Sequence, residues 1–207
     1  MTAAFYPAHG SNFTAGRANV IDRIVLHYTG GDGDTAENNG NYFQGKDRKA
    51  SAHYFVDEDS IVQSVRDTDI AWHAGDWDMN CRSIGIEMCS RKYANGKYYI
   101  PEKTVENAVK LTKELMEKYG IGVDGVIRHY DVTKKACPAP WVENPKLWED
   151  FKRRLTAVER PSAWAEEACA WAVKQGIFQG DGKGGYDWQA PVTREQLAVI
   201  LYRLYGK

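Results

Sequence analysis

The chain has 207 residues, 43% of them hydrophobic and 27% charged, a size and composition that suit one medium globular domain with a small appendage. Lys+Arg 27 against Asp+Glu 28 leaves almost no net charge, which gives no electrostatic basis for nucleic acid as a partner, since phosphate binding needs a basic surface. No segment approaches the roughly 18 apolar residues that span a bilayer, so no membrane span is expected.

The stretch from Met1 to Asn19 is polar and contains glycine, without the basic-then-apolar pattern of a secretory signal, so synthesis in a cytoplasm is expected. Val20 to His27 is short and β-branched and predicts a strand that ends in His27, beside the breaker run Thr29 to Gly33. Thr35 to Gln44 has weak helical character. Ala52 to Asp57 predicts a second strand, turned at Asp57 to Ser60 into Ile61 to Val65 as a hairpin, and Ser83 to Met88 predicts a further short strand. The best helical pattern runs from Pro101 to Tyr119, with Val105, Ala108, Val109, Thr112, Leu115, Met116 and Tyr119 on one face and Gly120 as the stop. Gly125 to His129 repeats the apolar strand ending in His. Pro138, Pro140 and Pro145 break the chain, and an amphipathic helix over Pro145 to Leu155 closes the domain. Interleaved strands and helices predict an α/β fold over residues 1–158, a central mixed sheet flanked by helices.

Composition shifts near Glu159-Arg160-Pro161, and residues 159–207 read as a small helical module. A helix is predicted over Ala163 to Gln175 with Trp164, Ala168, Trp171 and Ala172 on one face, then a Gly-rich loop, Gly176 to Gly185. Thr193 caps a last helix, Arg194 to Tyr205, with Leu197, Ile200, Leu201 and Leu204 facing inward. A piece of roughly 50 residues has little core of its own and is expected to lean on the main domain or on another copy as a homo-oligomer.

Three residues suit a metal ion: His27, His129 and Cys137. Both histidines are expected where strands give way to loops, and the eight-residue step from His129 to Cys137 can loop back to one ion. Imidazole and thiolate together suit Zn²⁺, and three protein ligands leave a fourth position open, as catalytic zinc requires. Spacing alone does not separate this from two hydrogen-bonded core histidines and an inert buried thiol. Copper also takes a His₂Cys set with an axial Met, but none of Met1, Met79, Met88 and Met116 lies near Cys137 in sequence. The four cysteines, Cys81, Cys89, Cys137 and Cys169, are too few and too scattered for a disulfide scaffold.

Six blocks in order, Ile24 to Thr29, Ser51 to Val56, Ala71 to Gly75, Ser83 to Glu87, His129 to Asp131 and Lys135 to Pro138, resemble the zinc-dependent N-acetylmuramoyl-L-alanine amidases. That family includes phage lysins, bacterial cell-wall amidases and animal peptidoglycan recognition proteins, and the resemblance covers residues 20–155. It implies zinc held by His27, His129 and Cys137, Glu87 as general base on the zinc-bound water, and Lys135 as the cation facing the oxyanion. It places His73, in Trp72-His73-Ala74-Gly75, in the pocket wall. In another branch a catalytic Tyr precedes the hairpin His; here that position is Ala52, which shifts the weight to Glu87. His53 and Tyr54 point to opposite faces of one strand, so only one faces the cleft; Tyr54 joins Trp72 and His73 as a candidate substrate contact. Many recognition-only relatives lack the Cys ligand, so Cys137 favours an active enzyme over the alternative, a non-catalytic peptidoglycan-binding protein.

The blocks Trp164 to Val173, Gly180-Asp181-Gly182 and Val192 to Ala198 resemble a single S-layer homology repeat. Such repeats bind secondary cell-wall polymers, and the resemblance points to Arg194 near the ligand pocket. Together the two resemblances imply a lysin that hydrolyses the amide between N-acetylmuramic acid and L-alanine in peptidoglycan. With no signal sequence expected, it would be a phage or prophage endolysin released through a holin.

Overall fold

Short β-branched segments and the helices between them build an α/β unit in a computed structural model, which describes residues 3–157, 160–178, 180, 185–186, 188 and 191–205. The strands are β1 (Ala4–Phe5), β2 (Phe13–Thr14), β3 (Arg23–Tyr28), β4 (Tyr54–Val56), β5 (Ile61–Gln63), β6 (Ile70–Ala71), β7 (Ser83–Met88), β8 (Arg91–Lys92), β9 (Tyr98–Tyr99) and β10 (Val126–Arg128). The helices are α1 (Ala36–Phe43), α2 (Trp77–Arg82), α3 (Glu102–Tyr119), α4 (His129–Thr133), α5 (Ala139–Glu143), α6 (Pro145–Thr156), α7 (Glu166–Lys174) and α8 (Arg194–Tyr205). The chain divides into two compact units, Met1–Thr156 and Ala157–Lys207.

Six strands form one mixed sheet in the order β1-β5-β4-β7-β3-β10. The β4–β5 hairpin is antiparallel, while β7 runs parallel to both β4 and β3, and β10 runs parallel to β3. Register decides what each face carries. Leu26 pairs with Ile86, and Ile86 with Tyr54, so these side chains share one face. That face is the main core, where Ile24, Leu26, Ile84, Ile86 and Met88 meet Val105, Ala108 and Leu115 of α3 and Phe151 of α6. On the other face His27 pairs with Glu87, and Glu87 with Phe55. There α1 covers Phe55 and Val62 with Ala36 and Phe43.

Most predicted elements stand, with informative shifts. β3 starts at Arg23, three residues later than the sequence pattern suggests. Val20 is 81% exposed, and the Asp22 carboxylate is engaged by Arg82, so pairing begins with Arg23 opposite Ser83. α3 ends as expected at Gly120, whose φ of 65° is the left-handed cap that glycine adopts without a Cβ penalty. His129 does not end a strand; it is the first residue of α4. Nor do the prolines interrupt structure: Pro138 precedes α5 and Pro145 opens α6, positions where a missing N–H leaves no helical bond unmade.

In the second unit, Thr193 caps α8 as predicted: its Oγ1 accepts from Gln196 N at 3.1 Å and its own N–H donates to Gln196 Oε1 at 2.9 Å. The predicted inward faces are not realised. Trp164 and Trp171 are exposed beside buried Ala172, and Leu197, Leu201 and Leu204 are also exposed, because a piece this small encloses little volume. Of the predicted loop 176–185, residues 179 and 181–184 lie outside the described residues, as does Glu159 at the predicted boundary.

Candidate metal centre

Three elements bring the predicted ligands together. His27 lies one residue before the end of β3. His129 opens α4 directly after β10, the neighbour of β3. Cys137 returns to them because Tyr130 N donates to the Cys137 carbonyl at 2.9 Å, which closes the loop after His129. All three residues are buried, and one ligand atom from each lies within 4.8 Å of the others. His27 Nδ1 is 3.1 Å from His129 Nδ1 and 3.8 Å from Cys137 Sγ. Tetrahedral bonds of about 2.05 Å to nitrogen and 2.3 Å to sulfur would set such atoms about 3.3 to 3.6 Å apart.

The protons around these atoms can be assigned. Ser83 Oγ donates to the Met79 carbonyl at 2.5 Å, so its hydrogen is committed there. The His73 Nε2, 3.3 Å from Ser83 Oγ, must then be the donor of that contact. Burial holds His73 and His27 well below the usual histidine range, with neighbouring imidazoles and cations acting the same way, so both rings are neutral. Neutral His73 therefore accepts at Nδ1, and His27 donates to it from Nε2 at 3.0 Å. His27 Nδ1 is left with a bare lone pair. His129 is likewise lowered by burial and by Lys135, while a hydrogen bond to the Ala74 backbone opposes this; with that proton on Nε2, the ring nitrogen beside Gly75, the His129 Nδ1 is bare as well. Two lone pairs 3.1 Å apart repel unless a cation lies between them. Cys137 agrees: burial and the Glu87 carboxylate push its thiol up to about 12, so a thiolate here needs a positive charge beside it. The residues present thus fit a metal ion, and His73 orients one of its ligands.

Glu87 and Lys135 line the same cleft, a cavity of about 310 Å³ walled also by Tyr28, Phe43, Phe55 and Trp72. The Glu87 Oε2 is out of solvent and has no hydrogen-bond partner among the described residues. Burial raises the Glu87 pKa to about 7, with Lys135 opposing the rise and Asp34 adding to it. Trp72 is held by its Nε1, which donates to Thr14 Oγ1 at 3.0 Å, and by its backbone N–H on Ser51 Oγ. Ala52 lines the cleft where the other branch carries tyrosine.

Tyr54 is a correction. It points to the α3 face, donates to Asp67 Oδ1 at 2.8 Å, and does not line the metal cleft. Strand alternation gives the cleft side of the sheet to His53 and Phe55 instead. His53 lies beneath the site: its Nδ1 accepts from Gly85 N at 3.0 Å, and burial lowers its pKa to about 3. Arg194 belongs to the second unit, where its side chain is exposed; the 690 Å³ groove of that unit is lined by Phe178, Trp188, Glu195, Gln196 and Arg203 among others, and not by Arg194.

Two residues escaped sequence reasoning. Arg17 enters from an irregular N-terminal segment and donates to the carbonyls of Asp67, Asp69, Cys81 and Ser83, clamping the segments on either side of His73. Gly85 is needed because a Cβ there would lie 2.5 Å from Cγ of His73. Gly85→Ala should displace the His73 ring from His27. We expect it to lower metal affinity by about tenfold or more and stability by ~1–3 kcal/mol. Metal titration beside thermal melting checks this, and unchanged affinity would remove His73 from the ligand-orienting role.

Residues 17–140 match the family model described as N-acetylmuramoyl-L-alanine amidase. The chain belongs to this amidase family. A probable N-acetylmuramoyl-L-alanine amidase of Bacillus licheniformis is 37% identical over 203 residues, covering 90% of this chain and 56% of that protein. The amidase CwlL of the same organism is 35% identical over 153 residues, covering 67% of this chain and 41% of that one. The chain thus spans about half the length of the curated relatives it matches. Among solved structures, the catalytic domain of XlyA shares the fold with a TM-score of 0.65 at 29% identity, covering 75% of this amidase-family chain and 99% of that domain. PlyL gives 0.67 at 25% identity, covering 76% and 98%. Residues 159–198 match the S-layer homology domain. Cys81, Cys89, Cys137 and Cys169 form no disulfide, and the first three are buried.

Proposed function

We propose that this protein is a zinc-dependent N-acetylmuramoyl-L-alanine amidase that cuts peptidoglycan between the lactyl carbonyl of N-acetylmuramic acid and the amine of L-alanine. The observation that carries the reading is the convergence of three donor atoms, His27 Nδ1, His129 Nδ1 and Cys137 Sγ, in a cleft that also holds Glu87 and Lys135. Zinc held by those atoms would supply Lewis acidity and a nucleophile at neutral pH. Glu87 takes the proton of the attacking water and hands it to the departing L-alanine amine as the C–N bond breaks. The Lys135 ammonium offsets the negative charge that builds on the carbonyl oxygen. His73 keeps the proton of His27 on Nε2 and so keeps Nδ1 open for the metal. The indole of Trp72 forms the substrate wall beside them.

Digestion of purified walls tests this. We expect free L-alanine amino termini and intact lactyl carboxyls in the mass spectra, with release stopped by a chelator. Cuts between amino acids of the stem would make the protein a peptidase, and binding without release would make it a recognition protein.

The S-layer homology match supports a second part of the proposal, that residues 159–207 hold the enzyme on a cell-wall polymer, with Arg194 available at the start of α8. A chain shortened by residues 161–207 should still cleave soluble muropeptides while sedimenting less with whole walls; equal sedimentation would count against the module. The same reading makes the protein a lysin that reaches the wall once the membrane is opened. It is supported by likeness at 29% identity to a solved mutant endolysin from Bacillus subtilis.

A further inference from the structure

α8 carries more apolar surface than its own unit covers. Residues 197–202 are apolar or aromatic without exception, a composition that belongs to a helix covered on more than one side. At twelve residues the helix is too short to bury this surface by crossing a bilayer. Its side chains form two stripes. Leu197, Leu201 and Leu204 make one, each between 40% and 50% exposed. Glu195, Val199 and Arg203 make the other, each one turn after the last. This second stripe borders the 690 Å³ groove, which Phe178, Tyr186 and Trp188 also line. Those rings hold one another, Phe178 edge-on to Trp188 and Tyr186 stacked on it. Val199 stays half exposed although it lines the groove. Glu195 and Arg203 have no ion-pair or hydrogen-bond partner among the described residues.

The order of charges along the groove stripe selects the occupant. An anion stands one turn before Val199 and a cation one turn after it. A second α8 laid antiparallel about a two-fold axis at Val199 brings the partner's Arg203 to Glu195 and the partner's Glu195 to Arg203, with the two valines between them. A parallel copy, or three copies around an axis along the helix, sets like charge beside like charge at both positions. The groove is therefore complementary to itself in one orientation. We propose that the second unit pairs with a second copy of this chain through this groove, α8 antiparallel to α8, with two Glu195–Arg203 ion pairs flanking the Val199 contact. The inference does not depend on the amidase reading. Contact between twelve-residue helices lies at the small end of interface sizes, so the pairing depends on concentration.

Sedimentation velocity on the full chain over a concentration series tests this. Wild type should move toward twice its mass of 23.4 kDa as concentration rises. Glu195→Arg alone and Arg203→Glu alone should each raise the dissociation constant about tenfold, because either change turns two attractions into two repulsions. The double variant, Glu195→Arg with Arg203→Glu, rebuilds both pairs in reverse and should recover most of the wild-type affinity. Glu195 lies in the first turn of α8 and Arg203 in the last, so both reversals oppose the helix dipole. Recovery in the double variant therefore cannot come from a firmer helix, and circular dichroism on the same samples shows that each variant is folded. A monomer at every concentration overturns the proposal and assigns the stripe to a contact within the chain or to another partner. A three-fold mass overturns it as well. So does a double variant no better than the single ones, which would place the contact elsewhere or make it parallel.

Discussion

Cys137→Ser is expected to cost the protein its metal and its stem-releasing activity together. The thiol lies in a buried position that pushes its pKa up to about 12, so its deprotonation depends on a cation held jointly with the two imidazoles. A serine hydroxyl in the same place stays protonated and is a poor zinc ligand. With only His27 and His129 left, the ligand set has two neutral donors and no anionic one. Metal content should drop from near stoichiometric to near zero after dialysis, and turnover on muropeptides by ~10³-fold or more, since Glu87 alone would have to activate a water whose pKa no metal has lowered. The wild-type protein should also melt at a higher temperature with zinc than without it, while the variant shows no such gain. Elemental analysis and muropeptide digestion on both proteins decide the matter. A serine variant that keeps its metal and its rate would remove Cys137 from the ligand set.

The ligands were legible because His27 lies near the end of one short apolar strand, His129 follows another and Cys137 stands just before a proline, and sheet order then places β10 beside β3. The boundaries of β7 and α3 were legible for a local reason as well, namely β-branched patterning and a Gly120 stop. What sequence hid is set by contacts between distant segments. The start of β3 depends on Asp22 meeting Arg82, sixty residues away. Alternation told that only one of His53 and Tyr54 faces the cleft, but the choice rests on which face α3 covers, a tertiary fact. The orienting role of His73 depends on empty space above Gly85, which no motif records, and on Ser83 spending its hydrogen on Met79. In the second unit the amphipathic pattern was plain, yet an apolar stripe specifies burial only if something covers it, and Leu197 and Leu201 remain exposed.

Glu87→Gln is expected to lower turnover by ~10²–10⁴-fold, the range for removing a positioned general base, while metal content stays unchanged because Glu87 is not one of the three converging donors. The pH profile gives a sharper test. Burial raises the Glu87 pKa from 4.5 to about 7, and only the ionised form can take a proton, so activity should rise with pH up to this point and then level. Bound zinc favours the carboxylate, and the midpoint in the loaded enzyme should lie below that of the metal-free protein. The same shift carries an opposite sign for stability. Because the folded-state pKa exceeds the unfolded value, the native state holds the proton more tightly, and this stabilisation is fully present below pH 4.5 and lost as pH rises through about 7. Metal-free wild type should therefore lose stability relative to Glu87→Gln across that window, by on the order of 3 kcal/mol. Denaturant melts of the two metal-free proteins at pH 4.5 and pH 8 measure the difference. Parallel curves would mean that Glu87 is solvated in the folded protein, and a solvated carboxylate with an ordinary pKa would be a weak base for this reaction.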